Sequence, residues 1–305
     1  MTPSTPDGAG LALRISGLQK RFGKHRALDD LAFSVPQGSI CGLIGPNGAG
    51  KTTTMSIIAG FLQADAGTVD LLGMGPFDPA KHAGMVGILP QDAELPVAST
   101  PRQLLTVWGR LQGIPSSSIR AAVEDVLGSV LLGDRVDARI ATLSHGMRRR
   151  VTVASALIGN PAFVLLDEPT SGLDPVQARH LRDALARLRG KTTVLISSHN
   201  LAELESLCDR VVVIDHGRCV REGEMAVVTG ADREVTITLA PPFPKGIETP
   251  VVLRLDPTDP RSLPQATSEL LTELLASGAQ VQEVRQGSSL EARVLADTAD
   301  TTAPR

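Results

Sequence analysis

The chain has 305 residues, 42% of them hydrophobic but only 2% aromatic, and a formal net charge of -3. That length supports one sizeable aliphatic core and a smaller second one, a composition suited to a parallel sheet buried on both faces. The charge balance offers no basic surface for a DNA or RNA backbone, so no nucleic-acid partner is expected.

Residues 1–10 are polar and turn-prone, without the basic start and apolar stretch of a secretion signal, and read as a loose tail. No apolar run approaches the roughly 20 residues that cross a bilayer. The expectation is a soluble, cytoplasmic chain whose membrane role would come from a partner. Cys41, Cys208 and Cys219 form no Cys-x-x-Cys pair, which fits a reducing compartment and argues against metal binding through them.

Leu11 to Val35 is patterned like strands around a turn at Gly23-Lys24. Ile40 to Ile44 is a short apolar strand that runs into a glycine-rich loop, and Thr52 to Leu62 reads as a helix. From about residue 92 to 155 helical periodicity takes over, at Leu104–Leu111, Ile119–Leu132 and Gly146–Ile158. This stretch reads as a helical subdomain inserted into a sheet domain. Its densest basic run, Arg148-Arg149-Arg150, points in several directions on a helix and is expected to be solvated.

Strand signals return at Phe163–Leu166, Thr193–Ile196 and Val211–Ile214, alternating with helical stretches at Pro175–Arg189 and Asn200–Leu207. That alternation predicts a layered α/β fold. Residues 231–305 change texture. Strand-like Glu234–Leu239, Val251–Leu255 and Gln280–Val284, a proline-rich break at Pro241–Pro244 and a helix at Ser262–Leu275 predict a small α+β appendage.

The loop Gly45-Pro46-Asn47-Gly48-Ala49-Gly50-Lys51-Thr52-Thr53 fits Gly-x-x-x-x-Gly-Lys-Thr completely, between a strand and a helix. Glycines let several N–H groups converge on one phosphate, and the helix start adds its dipole. Lys51 can reach outer phosphates, Thr52 can offer a hydroxyl to Mg²⁺, and Thr53 can bond an inner phosphate. The plain alternative, a glycine turn with a capping lysine, does not require this strand–loop–helix setting.

Asp167 follows four apolar residues and should sit at the carboxyl end of a buried strand, where ligands of parallel sheets gather. It is expected in the magnesium shell, directly or through water. Glu168 is expected to polarise water or act as general base. Taken alone, the pair reads better as a capping Asp followed by an exposed Glu; beside the phosphate loop the chemical reading is favoured. His199 ends another strand on the same edge, within plausible reach of a terminal phosphate.

Together these residues resemble the ATPase subunits of ABC transporters, in family order over residues 11–230. The loop matches the family's Walker A, and Phe163–Pro169 matches Walker B with its catalytic glutamate. The resemblance implies that Gln91 is the Q-loop residue, contributing to the magnesium site. It places Ser171–Asp174 as the D-loop, His199 as the switch histidine and Phe22 as the aromatic against the adenine. Leu143-Ser144-His145-Gly146-Met147 stands where the family signature Leu-Ser-Gly-Gly-Gln belongs. Ser144 also reads as a simple helix cap, and both roles can hold at once.

With one Walker A and one signature, the resemblance implies a second ATPase subunit, identical or related, whose Ser144 and Gly146 equivalents complete the site in trans. It also implies ATP and Mg²⁺, and separate membrane permease subunits that attach the chain to the inner face of the membrane. The Leu-Ser-x-Gly-Met form is similar to that of ABC-2-type exporter ATPases, as, more weakly, is Ser289–Leu295. Coupling would then run through the residues near Gln91–Leu105. The competing expectations are a soluble ABC-type ATPase with a non-membrane partner, and a nucleotide-sensing regulator that hardly hydrolyses.

Overall fold

The structure, a computed structural model, describes residues 10–231, 233–241, 249–256, 259 and 261–299. The expected tail therefore lies outside it except for Gly10, whose carbonyl accepts from the Gln37 amide. Most of the proline-rich break at 241–244 also lies outside the described residues. The chain divides into two compact units, the first ending at Glu222 and the second starting at Gly223.

In the first unit, β1 (Leu11–Phe22) and β2 (His25–Pro36) form a hairpin around Gly23-Lys24. β3 (Ile40–Ile44) leads into α1 (Lys51–Ile58), and β4 (Ala66–Leu71) returns to pair with β1. β5 (Val86–Leu89) precedes three helices, α2 (Pro101–Leu111), α3 (Ile119–Ser129) and α4 (His145–Leu157). Then β6 (Phe163–Asp167), α5 (Pro175–Ala186), β7 (Thr193–Ser197), α6 (Leu201–Leu207), β8 (Arg210–Asp215) and β9 (Arg218–Glu224) alternate.

Two sheets result. The antiparallel sheet runs β2-β1-β4, and the larger sheet runs β5-β6-β7-β3-β8-β9, parallel through β5 to β8. All five residues of β3, β6 and β7 are buried, as expected for strands covered on both faces. One hydrophobic cluster, including Leu13, Leu28, Leu43, Ile58 and Phe163, spans both sheets and α1.

Register positions the site. Leu43 and Asp167 both lie opposite Ser197, so the carboxyl ends of β3, β6 and β7 stop at one level. β3 is inserted between β7 and β8, so the loop that leaves it lies in the middle of the sheet's carboxyl edge. Ligands of open α/β sheets bind outside that edge.

α2 begins earlier than its apolar periodicity indicates. Thr100 and Gln103 form a reciprocal capping box, and Pro101 fits the first helical turn. α3 ends early because Leu131 adopts φ +56°. β5 has only four residues, and β4 opens on exposed Ala66, Gly67 and Thr68, so neither reveals itself by an apolar run or by alternation.

The second unit holds α7 (Met225–Thr229), β10 (Glu234–Ala240), β11 (Val251–Arg254), α8 (Leu263–Ala276), β12 (Gln280–Gln286) and α9 (Leu290–Ala299). Its antiparallel sheet runs β11-β10-β12. Val235, Ile237, Leu239, Leu263 and Leu274 make a separate small core, and buried Glu234 pairs with Arg254 and Arg293.

Candidate phosphate-binding and hydrolytic site

The loop after β3 needs its glycines for physical reasons. A Cβ on Gly45 would stand 2.0 Å from the Ile214 carbonyl oxygen, so only glycine lets the chain leave the strand there. Gly50 precedes α1 at φ +105°, and a Cβ on it would stand 2.7 Å from both the Ala27 carbonyl and the Leu28 side chain. Left-handed glycine here turns the loop so that α1 begins at Lys51 with no side-chain cap and no acidic residue in its first turn. The free amides at that start form an anion site.

Lys51 Nζ donates to the Gly45 carbonyl at 2.7 Å and to the Pro46 carbonyl at 3.0 Å. Burial pulls its ammonium below the ordinary lysine value, while the charges of Glu168 and Asp167 oppose that shift. The lysine is thus held by weak neutral acceptors beside two carboxylates, a setting that a phosphate would improve. Thr52 is exposed on the first turn and Thr53 is half-buried, whereas Thr54 is turned inward and bonds the Gly50 carbonyl.

Asp167 closes β6 and is buried. Ser197 Oγ donates to its Oδ1. Burial raises the Asp167 carboxyl above the ordinary range, with Ser197 opposing and Glu168 adding to the rise. The sign of the linkage follows: stability tied to this group is present at low pH and lost as pH rises through the raised native value. A cation opposite the carboxylate would recover it.

Glu168 stands at φ +53°, a left-handed conformation that side-chain-bearing residues rarely adopt. Its amide donates to both Ser197 Oγ at 3.1 Å and the Ser197 carbonyl at 3.2 Å. Its Oε2 lies 2.6 Å from His199 Nδ1. The structure therefore brings together the loop, Asp167, Glu168 and His199 on one sheet edge.

Phe22 ends β1, 50% exposed, with Lys20 Nζ 5.8 Å from its ring centroid. Ser144 caps α4 by accepting from the Met147 amide at 3.2 Å. Asp174 caps α5 by accepting from the Gln177 amide at 2.9 Å. Among the described residues, the hydrogen bonds of Ser144 and Asp174 stay at these helix starts, away from the loop. Gly146 is buried because α4 packs tightly there; a Cβ would stand 2.1 Å from Gln177 Oε1. Gln91 is exposed, and its carbonyl accepts from Arg149 at 3.3 Å. A cavity of about 610 Å³ beside it is lined by Glu94, His145, Arg148 and Ser171 among others.

The solvated reading of Arg148–Arg150 is wrong for two of the three. Arg149 and Arg150 are each only 9% exposed. Arg150 bonds the Val130 and Leu131 carbonyls at the end of α3, and Arg149 bonds carbonyls around β6. The available signal was helical phase: His145, Arg148, Thr152 and Ser155 share one polar stripe at i, i+3, i+7 and i+10, and Arg149 and Arg150 fall off it, on the faces of Val153, Ala154, Ala156 and Leu157.

The donor set fits magnesium of one kind only. Among the described residues, no cluster of three or more His, Cys, Asp or Glu side chains could hold a metal. One carboxylate and a hydroxyl, completed by substrate phosphates and water, is the usual magnesium arrangement.

Comparison with known proteins agrees with this geometry. Residues 28–171 match the family described as ABC transporter. The chain is 43% identical over 229 residues to "Nod factor export ATP-binding protein I" of Ralstonia nicotianae, covering 72% of this chain and 70% of that protein. It is 45% identical over 212 residues to the protein of the same description from Burkholderia lata, covering 68% of each. A crystal structure of the ADP conformation of an ATP-binding cassette of an ABC transporter superposes with a TM-score of 0.61 at 28% identity, covering 70% of this chain and 91% of that one. A nucleotide-free ATP-binding cassette gives 0.62 at 28% identity, with 70% and 92% covered.

A P-loop nucleoside triphosphatase of the ATP-binding-cassette kind is the class that this fold and site define. The chain belongs to the ATP-binding subunits of ABC transporters, the ATPases of membrane transport systems. Among the described residues, no helix is long and apolar enough to cross a membrane.

Proposed function

We propose that this chain is the ATP-hydrolysing subunit of a multi-subunit ABC exporter, working as a dimer against separate membrane subunits. The observation that carries the reading is Glu168. It is held in a left-handed conformation at the sheet edge, bonded to His199, with its charge acting on Lys51.

In this reading Lys51 exchanges its Gly45 and Pro46 carbonyls for the outer phosphates of ATP, and the uncapped amides of α1 hold the inner ones. Phe22 offers a face to the adenine. Glu168 takes the proton of the attacking water, and His199 fixes its carboxylate and contacts the terminal phosphate. Magnesium, when bound, neutralises phosphate charge, and Thr52, Gln91 and Asp167 are the residues that would hold it or its water shell.

Ser144 and Gly146 of a second ATPase subunit, identical or related, complete the site, with Asp174 at the junction. The cavity beside Gln91 lies where a membrane subunit could sense the nucleotide state, which would tether the chain to the inner membrane face. Two relatives described as export proteins support the outward direction.

The test is dimerisation of full-length Glu168→Gln. With ATP it is expected to dimerise without turnover, as read by sedimentation and phosphate release. Adding Ser144→Arg should abolish that dimer while ATP binding persists. Normal turnover in Glu168→Gln contradicts the assignment.

A further inference from the structure

Arg149 lies five positions beyond the Ser144 cap, in the second turn of α4. Its buried guanidinium spends its donors on main-chain carbonyls from two separate segments. Nη2 donates to Asp167 at 3.0 Å and Glu168 at 2.7 Å, and Nε donates to Pro169 at 3.3 Å. Nη1 donates to Gln91 at 3.3 Å. Three consecutive carbonyls at the end of β6 are thus gathered by one side chain and tied to a fourth.

A cation in this position is costly to keep. Burial works against its charge, and the nearby charges of Asp167, Glu168 and Asp92, with the carbonyls it bonds, oppose that cost. Packing α4 against β6 would need no more than an aliphatic side chain. What the guanidinium alone supplies is a planar fork that fixes several carbonyl directions at once.

The residue at the centre of that fork needs fixing. Glu168 is left-handed at φ +53°, a conformation that persists in a side-chain-bearing residue only when its surroundings over-determine it. Ser197 holds the Glu168 amide from one side, and Arg149 holds its carbonyl from the other.

We propose that Arg149 is the positioning residue for Glu168, and that it joins Glu168, Gln91 and the Ser144 helix into one rigid connection. The proposal rests on the reading of Glu168 as the group that activates water. It has a consequence for the dimer. Ser144 at the start of α4 serves one site, while Arg149 on the same helix orients the Glu168 that serves the other. A phosphate gripping Ser144 in one site therefore acts on the water-activating carboxylate of its neighbour, through less than two turns of helix.

The test uses the full chain with Arg149→Lys, which keeps the charge but loses the fork, and Arg149→Ala. Turnover is expected to fall about 100-fold in both, as for a misplaced catalytic group. Equilibrium binding of a fluorescent ATP analogue should stay within about two-fold, because the loss falls on kcat rather than on ground-state binding. The cooperativity of turnover in ATP should also disappear. Millimolar guanidinium should restore part of the turnover of Arg149→Ala, and an equal concentration of ammonium should not. Should Arg149→Ala fail to fold, Arg149→Lys carries the test through its kcat and cooperativity. Wild-type kcat and cooperativity in folded Arg149→Lys overturn the proposal, as does an ATP-binding loss that matches the loss of turnover. If Glu168→Gln abolishes turnover while Arg149→Lys leaves it intact, only the present proposal falls. If Glu168→Gln turns over normally, the reading of Glu168 falls.

Discussion

Two helix starts in this chain treat their unpaired amides in opposite ways. α1 begins behind a left-handed glycine with no side-chain cap. α4 begins behind Ser144, whose hydroxyl accepts from the Met147 amide. The first start leaves its donors to be satisfied by whatever anion arrives. The second has one of its donors, the Met147 amide, satisfied by its own chain before any ligand arrives. A hydroxyl accepts and donates at once, so Ser144 can keep its cap and still offer a proton to a phosphate from outside. One site is built to be empty until filled, and the other is built to be ready.

The largest way to break this contrast is to give a side chain to the residue that precedes α1. Gly50→Ala forces a Cβ against the Ala27 carbonyl at 2.7 Å and strains φ +105°. It should cost roughly 2–4 kcal/mol of stability and abolish ATP binding, as read by chemical denaturation and nucleotide titration. The smaller perturbation is Ser144→Ala. Losing the cap should cost about 1 kcal/mol in thermal or chemical unfolding, with ATP binding by the isolated chain unchanged. The same variant should lose turnover out of proportion to its stability, because it removes a phosphate donor from the partner's site. If turnover tracks stability alone, Ser144 is only a cap.

The loop was legible because its glycines are demanded by backbone conformation, and Gly45 and Gly50 stand where no other residue fits. Asp167 and His199 could be placed because runs of buried β-branched and aliphatic residues mark strand ends, and strand ends share a level in a parallel sheet. In the second unit β10 and α8 lie close to the stretches read as strand and helix, for the same reason. Three features were not readable. Nothing in a Glu announces φ +53°; its neighbours impose that conformation. Burial of Arg149 and Arg150 depends on elements distant in sequence, β6 and the end of α3, which supply the carbonyls. The strands β4 and β5 are defined by partners rather than by their own patterns.

The central claim is that each hydrolytic site takes its phosphate loop from one subunit and its signature from another. Subunit complementation tests it most directly. Full-length Lys51→Ala and Ser144→Arg chains are each assayed alone and then mixed, with ATP hydrolysis as the readout. Each alone should be inactive. The mixture should regain activity, because a mixed dimer unites the intact Lys51 of one chain with the intact Ser144 of the other. Wild-type activity in Ser144→Arg alone, or a mixture as inactive as its components, would contradict the account.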